Sequence, residues 1–185
     1  MTNTLLRRYR ISLSFFIVGL VISGLTAFPL LAELSILLKI IGIHDSSQYA
    51  SLTGLQQWIA FVHFGLENTY AAFPFIAYGT DWLAFAHLII ALFFVGPLIH
   101  PTRNDWILYC GLIACIAVIP LALVCGHIRG IPLYWSLIDC SFGIFGMLPL
   151  LYCLHVSKLL RNQENQSSKP STEHLPAVTA GREKG

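Results

Sequence analysis

Two ionisable residues of this 185-residue chain stand where charge is expensive: His87 within the apolar stretch 82–99 and Asp139 within 134–156. An ionisable group among lipid chains costs roughly 3 kcal/mol unless paired or hydrated, and marks a functional site by default. Histidine exchanges protons near neutral pH and a carboxylate can accept or orient that proton. His87 and Asp139 are therefore the candidates for proton transfer. The plainer alternative is a structural hydrogen bond joining two helices. Their depths match, since His87 follows Trp82 by five residues and Asp139 follows Tyr134 by five. At 1.5 Å per residue, both lie about 7–8 Å below the same interface. Asp81 opens the second apolar stretch, as a helix cap or dipole partner or as part of a polar pocket. Arg129 could pair with Asp139, Asp81 or Glu33, or face water. His63 and Glu67 stand at i, i+4 and could share a ligand or a proton, or form a solvated face.

These residues define a polar spot with His87 and Asp139 at its centre and Asp81, Arg129, His63 and Glu67 at its rim. Such a spot suits the head of a lipid or quinone, or a partner helix, as in a binding or accessory membrane protein. A membrane-embedded enzyme carrying out proton transfer or redox chemistry on a lipid-like substrate is the alternative. Haem or metal binding through His87, with His127 as a second ligand, is a further one. No zinc spacing, P-loop, H-E-x-x-H or G-x-S-x-G occurs, so no metal site is expected from motifs. The five cysteines lie in apolar stretches without a C-x-x-C and read as small apolar residues. Cys125 and Cys140 sit towards the same face, where a disulfide would suit a quinone-linked thiol oxidoreductase.

The elements that must position these groups follow from hydropathy. Apolar residues make up 56% of the chain, charged ones 11%, and mean hydropathy is +0.70. That excludes a disordered chain and argues against a soluble enzyme. A net charge of +2 with scattered Lys and Arg gives no footprint for nucleic acid. A spanning helix needs about 20 mostly apolar residues, and four stretches qualify: 11–32, 82–99, 106–125 and 134–156. The predicted fold is all-α, an integral membrane four-helix bundle. Arg7, Arg8, Arg10, Arg103, Lys158, Arg161, Lys169, Arg182 and Lys184 fall on one side of it, Lys39 and Arg129 on the other. Basic residues collect in the cytoplasm, so both termini are placed there, in a bacterial inner membrane. Ser51–Glu67 repeats Leu52, Leu55, Ile59, Val62 and Leu66 on one face and Gln56, Ala60, His63 and Glu67 on the other. It is expected as an amphipathic helix on the outer leaflet between spans one and two. Residues 1–161 form the transmembrane domain, and the polar stretch 162–185 is expected as a disordered cytoplasmic tail.

Small residues predict which faces meet. Ser12, Gly19, Ser23 and Thr26 form a stripe on the first span. Ala84, His87 and Ala91 line up on the second. Gly111, Cys115, Val118, Ala122 and Cys125 mark the third, and Asp139, Gly143 and Gly146 the fourth. His87 and Asp139 thus point into the bundle, in direct or water-bridged contact. Beyond a lipid or quinone, the possible partners are another membrane protein or further copies of this chain as a homo-oligomer.

The stretches AYGTDWLAFAH (77–87) and RGIPLYWSLIDCSFG (129–143), with GPLIHP (96–101), resemble a family of small uncharacterised bacterial inner-membrane proteins. The resemblance implies four spans and carries no activity. The chain also resembles the EXPERA domain of sterol isomerases and sterol-ligand receptors, through His63-x-x-x-Glu67 and PLYW at 132–135. That family places the pair inside a transmembrane helix, whereas here it falls on a segment too short to span.

Overall fold

The computed structural model describes residues 2–43 and 51–167, which are helical with short connections. Helix α1 runs Thr2–Ala27 and α2 Leu30–Ile40. The break between them falls at Pro29, which lacks an N–H and disfavours helical geometry at Phe28 before it. The first expected span, 11–32, is thus corrected: its helix starts at Thr2 and stops at Ala27, and Leu30–Ala32 belong to α2. Helix α2 ends in a tight turn at Gly42 (φ +82°), where the Ile43 N–H bonds the Leu38 carbonyl at 2.9 Å. Only glycine adopts that φ freely, and the turn folds Ile43 back onto Leu38.

Helix α3 spans Gly54–Ala72. A 3₁₀ turn at Pro74–Ile76 leads into α4 (Ala77–Phe93), then α5 (Val95–Ile99), α6 (Asp105–Ile128) and α7 (Leu133–Ser167). Helices α4 and α5 form one span interrupted at Phe94. Pro97 explains the interruption, because its ring clashes with the carbonyl four residues earlier. Helix α7 continues to Ser167, so the first residues of the expected tail are helical; 168–185 lie outside the described residues.

Four stretches are long and apolar enough to cross a bilayer: Asn3–Ala27, Pro74–Ile99, Asp105–Ile128 and Leu133–Gln166. Only 11% of the most apolar part of α1 is buried within the protein, and the same share of α6. Phe15, Ile22, Ile113, Phe142 and Phe145 point outward. A soluble monomer does not display so much contiguous apolar surface, whereas helices that satisfy their own backbone can present it to lipid.

Helix α1 packs against both α4 and α7, and α7 against α6. The shared core lies towards one end: Tyr9 and Leu13 of α1, Phe94, Leu108 of α6, and Leu150, Cys153 and Val156 of α7. Both ends of the described chain lie here, and we call this the terminal end. At the opposite end α2 and α3 pack as a hairpin around a second core of Leu34, Leu38, Ile43, Ile59 and Ala60, with Trp135 against it.

The small-residue faces hold on α6 and α7. A Cβ on Gly143 would lie 2.5 Å from the Cys115 carbonyl oxygen, and one on Gly146 3.0 Å from the Cys115 sulfur. On α1 the face differs from expectation. Gly19 and Ser23 are exposed, and buried Gly24 makes the close approach, to Ala84, His87 and Leu88 of α4.

Candidate functional site

The expected centre does not close. His87 packs over Gly24, and its Nδ1 lies 2.8 Å from the carbonyl of Leu83 in its own helix. Asp139, half-buried on α7, makes no hydrogen bond or ion pair among the described residues. Helices α4 and α7 each pack on α1 and not along one another. The expected His87–Asp139 hydrogen bond is therefore not formed. Both residues lie on the hairpin side of the shared core, which stops at Leu13, Phe94 and Leu150. Asp81 is not a cap: α4 begins at Ala77 and places it in the second turn. Arg129 ends α6, exposed and without an ion pair among the described residues. The turn that follows uses Gly130 (φ +68°), with the Ile131 N–H on the Gly126 carbonyl at 2.9 Å.

The rim residues His63 and Glu67 acquire a third member that the sequence reading missed. Helix α3 turns Ala60 and His63 towards α2 and leaves Phe61 and Phe64 exposed. The expected polar face is thus half-corrected: His63 is 11% exposed and Glu67 62%. His63 Nε2 lies 2.8 Å from Ser35 Oγ of α2, and Ser35 Oγ also lies 2.8 Å from the Leu31 carbonyl. His63 Nδ1 is buried without a hydrogen-bond partner, 3.9 Å from Glu67 Oε2. Ser35 falls in 33–81, which reads from the sequence as a connection between the first two spans, and only the structure shows it on a helix. Pro29 was the available signal, since a proline inside an apolar run marks a restart.

Beside the hairpin, Gly54, Gln57, Trp58 and Phe61 of α3 face Gly130, Pro132 and Tyr134 across an open groove of about 340 Å³. The Tyr134 hydroxyl closes one edge by donating to the Gly54 carbonyl at 3.2 Å. The Trp58 indole nitrogen is buried and has no partner among the described residues.

The terminal end carries the most connected polar network, also unforeseen. Arg161 of α7 donates to the Thr102 carbonyl (2.9 Å) and pairs with Asp105. The Ser157 hydroxyl lies against Asp105 and 2.7 Å from the Pro101 carbonyl, and the Tyr9 hydroxyl donates to the Pro97 carbonyl at 3.1 Å. Every member bonds another, so the network reads as a clasp holding the α5–α6 turn onto α7.

No group of three metal-ligating side chains occurs among the described residues. All five cysteines are free, Cys125 exposed and Cys140 buried with its sulfur 3.7 Å from the Ile119 carbonyl, so the Cys125–Cys140 disulfide is not formed. The fold and its polar groups define a multi-pass α-helical membrane protein. Comparison with protein-family models, curated proteins and solved structures finds no match.

Proposed function

We propose that this inner-membrane protein binds an amphipathic molecule, a lipid or a quinone, between its helices on the hairpin side of the shared core. The observation that supports this reading is Asp139: a carboxylate within a spanning helix, half-buried, with no partner among the described residues. Such a group needs a hydrogen-bond donor or water to be tolerated, and it lies outside the fully buried part of the shared core. His87 contributes a second polar group at matching depth, its ring tied only to its own helix. A ligand with a polar head and an apolar body would supply the donor to Asp139 and lie against the exposed apolar flanks. Arg7, Arg8, Arg10, Arg103, Lys158 and Arg161 belong to the terminal end, Lys39 and Arg129 to the hairpin end. The positive-inside rule then sets the hairpin outside and the bound head in the outer leaflet.

Native mass spectrometry of detergent-purified protein tests this. The wild type should carry a lipid or quinone at defined stoichiometry. Asp139→Asn should remain folded and retain about tenfold less, because a charge-assisted hydrogen bond is worth about 1.5–3 kcal/mol against about 1 for a neutral one. Equal retention by wild type, Asp139→Asn and Asp139→Leu would show that Asp139 holds nothing.

A further inference from the structure

We propose that Ser35, His63 and Glu67 form a nucleophilic triad that cleaves carboxylic esters of lipid amphiphiles at the membrane surface. The site lies in the hairpin and is independent of the Asp139 reading.

Nucleophilic catalysis by serine needs a base within hydrogen-bond reach of the hydroxyl and a third group orienting that base. Ser35 Oγ stands 2.8 Å from His63 Nε2, and the other ring nitrogen, Nδ1, faces Glu67 Oε2 at 3.9 Å. The order along the relay is hydroxyl, Nε2, Nδ1, carboxylate.

Hydrogen accounting allows two tautomers, one of them reactive. The Ser35 hydroxyl has one hydrogen and two acceptors in reach, the Leu31 carbonyl and His63 Nε2. Given to Leu31, it leaves Nε2–H as the donor to Oγ and strands Nδ1 as a buried lone pair without a partner. Turned to His63, it requires the hydrogen on Nδ1, where it points at Glu67. In the second arrangement Nδ1 carries a hydrogen that the Glu67 carboxylate, 3.9 Å away, accepts once it moves closer, as buried polar atoms normally find a partner. Closure is a shift of about 1 Å by the Glu67 carboxylate, whose side chain is 62% exposed. Catalytic hydrogen bonds are commonly long before substrate binds.

The surroundings suit the reaction. Lys39 lies one turn beyond Ser35 on the same face of α2, exposed and with no ion pair among the described residues. Helical side chains lean towards the N-terminus, so we assign its ammonium to the ester oxygen that gains negative charge as Ser35 attacks. Exposed Phe64, next to His63 on α3, provides an apolar surface for an acyl chain.

Ser35 Oγ attacks the ester carbonyl carbon while its proton passes to His63 Nε2. The tetrahedral adduct expels the alcohol, which takes that proton, and the acyl group stays on Ser35. Water, deprotonated by His63, then attacks the acyl carbonyl; the carboxylic acid leaves and the proton returns to Ser35. The sum is ester plus water giving acid plus alcohol.

A long-chain alkyl fluorophosphonate reports the nucleophile directly. Serine oxygen displaces fluoride on phosphorus, and the hydroxyl proton leaves through the histidine with the fluoride. Full-length protein in lipid nanodiscs should be labelled at Ser35, identified by peptide mass spectrometry. Labelling should vanish in Ser35→Ala and slow at least 100-fold in His63→Gln. Glu67→Gln alters an exposed side chain that the fold does not need, and should slow labelling about tenfold. Absence of label on Ser35 in folded wild type would overturn the proposal. So would a Glu67→Gln rate equal to wild type, which would remove Glu67 from the triad and leave Ser35 and His63 as a dyad.

Discussion

Gly143 and Gly19 are both glycines of spanning helices, yet opposite rules govern them. At Gly143 a methyl group would meet the Cys115 carbonyl oxygen at 2.5 Å and Val118 at 2.6 Å, one of them backbone. At Gly19 nothing lies within 4 Å. Gly143→Ala should lower stability in detergent by about 1–3 kcal/mol through overpacking. Gly19→Ala should leave it unchanged or raise it by up to about 1 kcal/mol, the difference in helix propensity. Thermal unfolding of the two variants checks both signs. The small residues themselves were legible in the sequence; which glycine faces a neighbour was not. The same holds for His87 and Asp139. Matching depth fixes one coordinate, whereas contact also requires the helices to be adjacent, and α1 packs against both.

The α2–α3 hairpin is an element with its own core, and no buried residue of that core is shared with the bundle's. Leu38 is 4% exposed and packs within the hairpin. Leu38→Ala should destabilise the hairpin by about 2–4 kcal/mol and leave α6 and α7 unaffected. Hydrogen exchange should show α2 and α3 amides exchanging faster in the variant, with the α6–α7 pattern unchanged. Helix α3 was legible from its periodicity, and Leu52, Ile59, Val62 and Leu66 do turn inward. Its second face was misread. Histidine reads as polar and outward when its partner is unknown, and that partner is a serine on a helix the apolar run concealed.

Across the whole molecule, the four crossings were legible because hydrocarbon selects them by length and polarity alone. The one-sided distribution of the core was not, since it depends on how far each helix leans from its neighbour. Charge asymmetry makes the large-scale prediction. A reporter active only in the cytoplasm, fused after Arg161, should be active, and cysteines at Gln56 and Arg129 should react with an impermeant thiol reagent from the periplasm once native cysteines are replaced. Periplasmic activity of the Arg161 fusion would invert the molecule.

The clasp around Tyr9 bears on how the protein is made. Tyr9 is wholly buried, its hydroxyl donates to a carbonyl 88 residues downstream, and the Cys153 sulfur approaches its own carbonyl across 144 residues. At roughly 5–20 residues per second of synthesis, α1 waits about 7 to 30 seconds in the bilayer before α7 emerges. Helix α4 arrives sooner and can dock on Gly24 without any later segment. Biogenesis therefore has a direction: the α1–α4 pair can assemble first, through Gly24. The last-made helix then locks the terminal end, so a nascent chain stalled before Leu133 inserts but cannot finish.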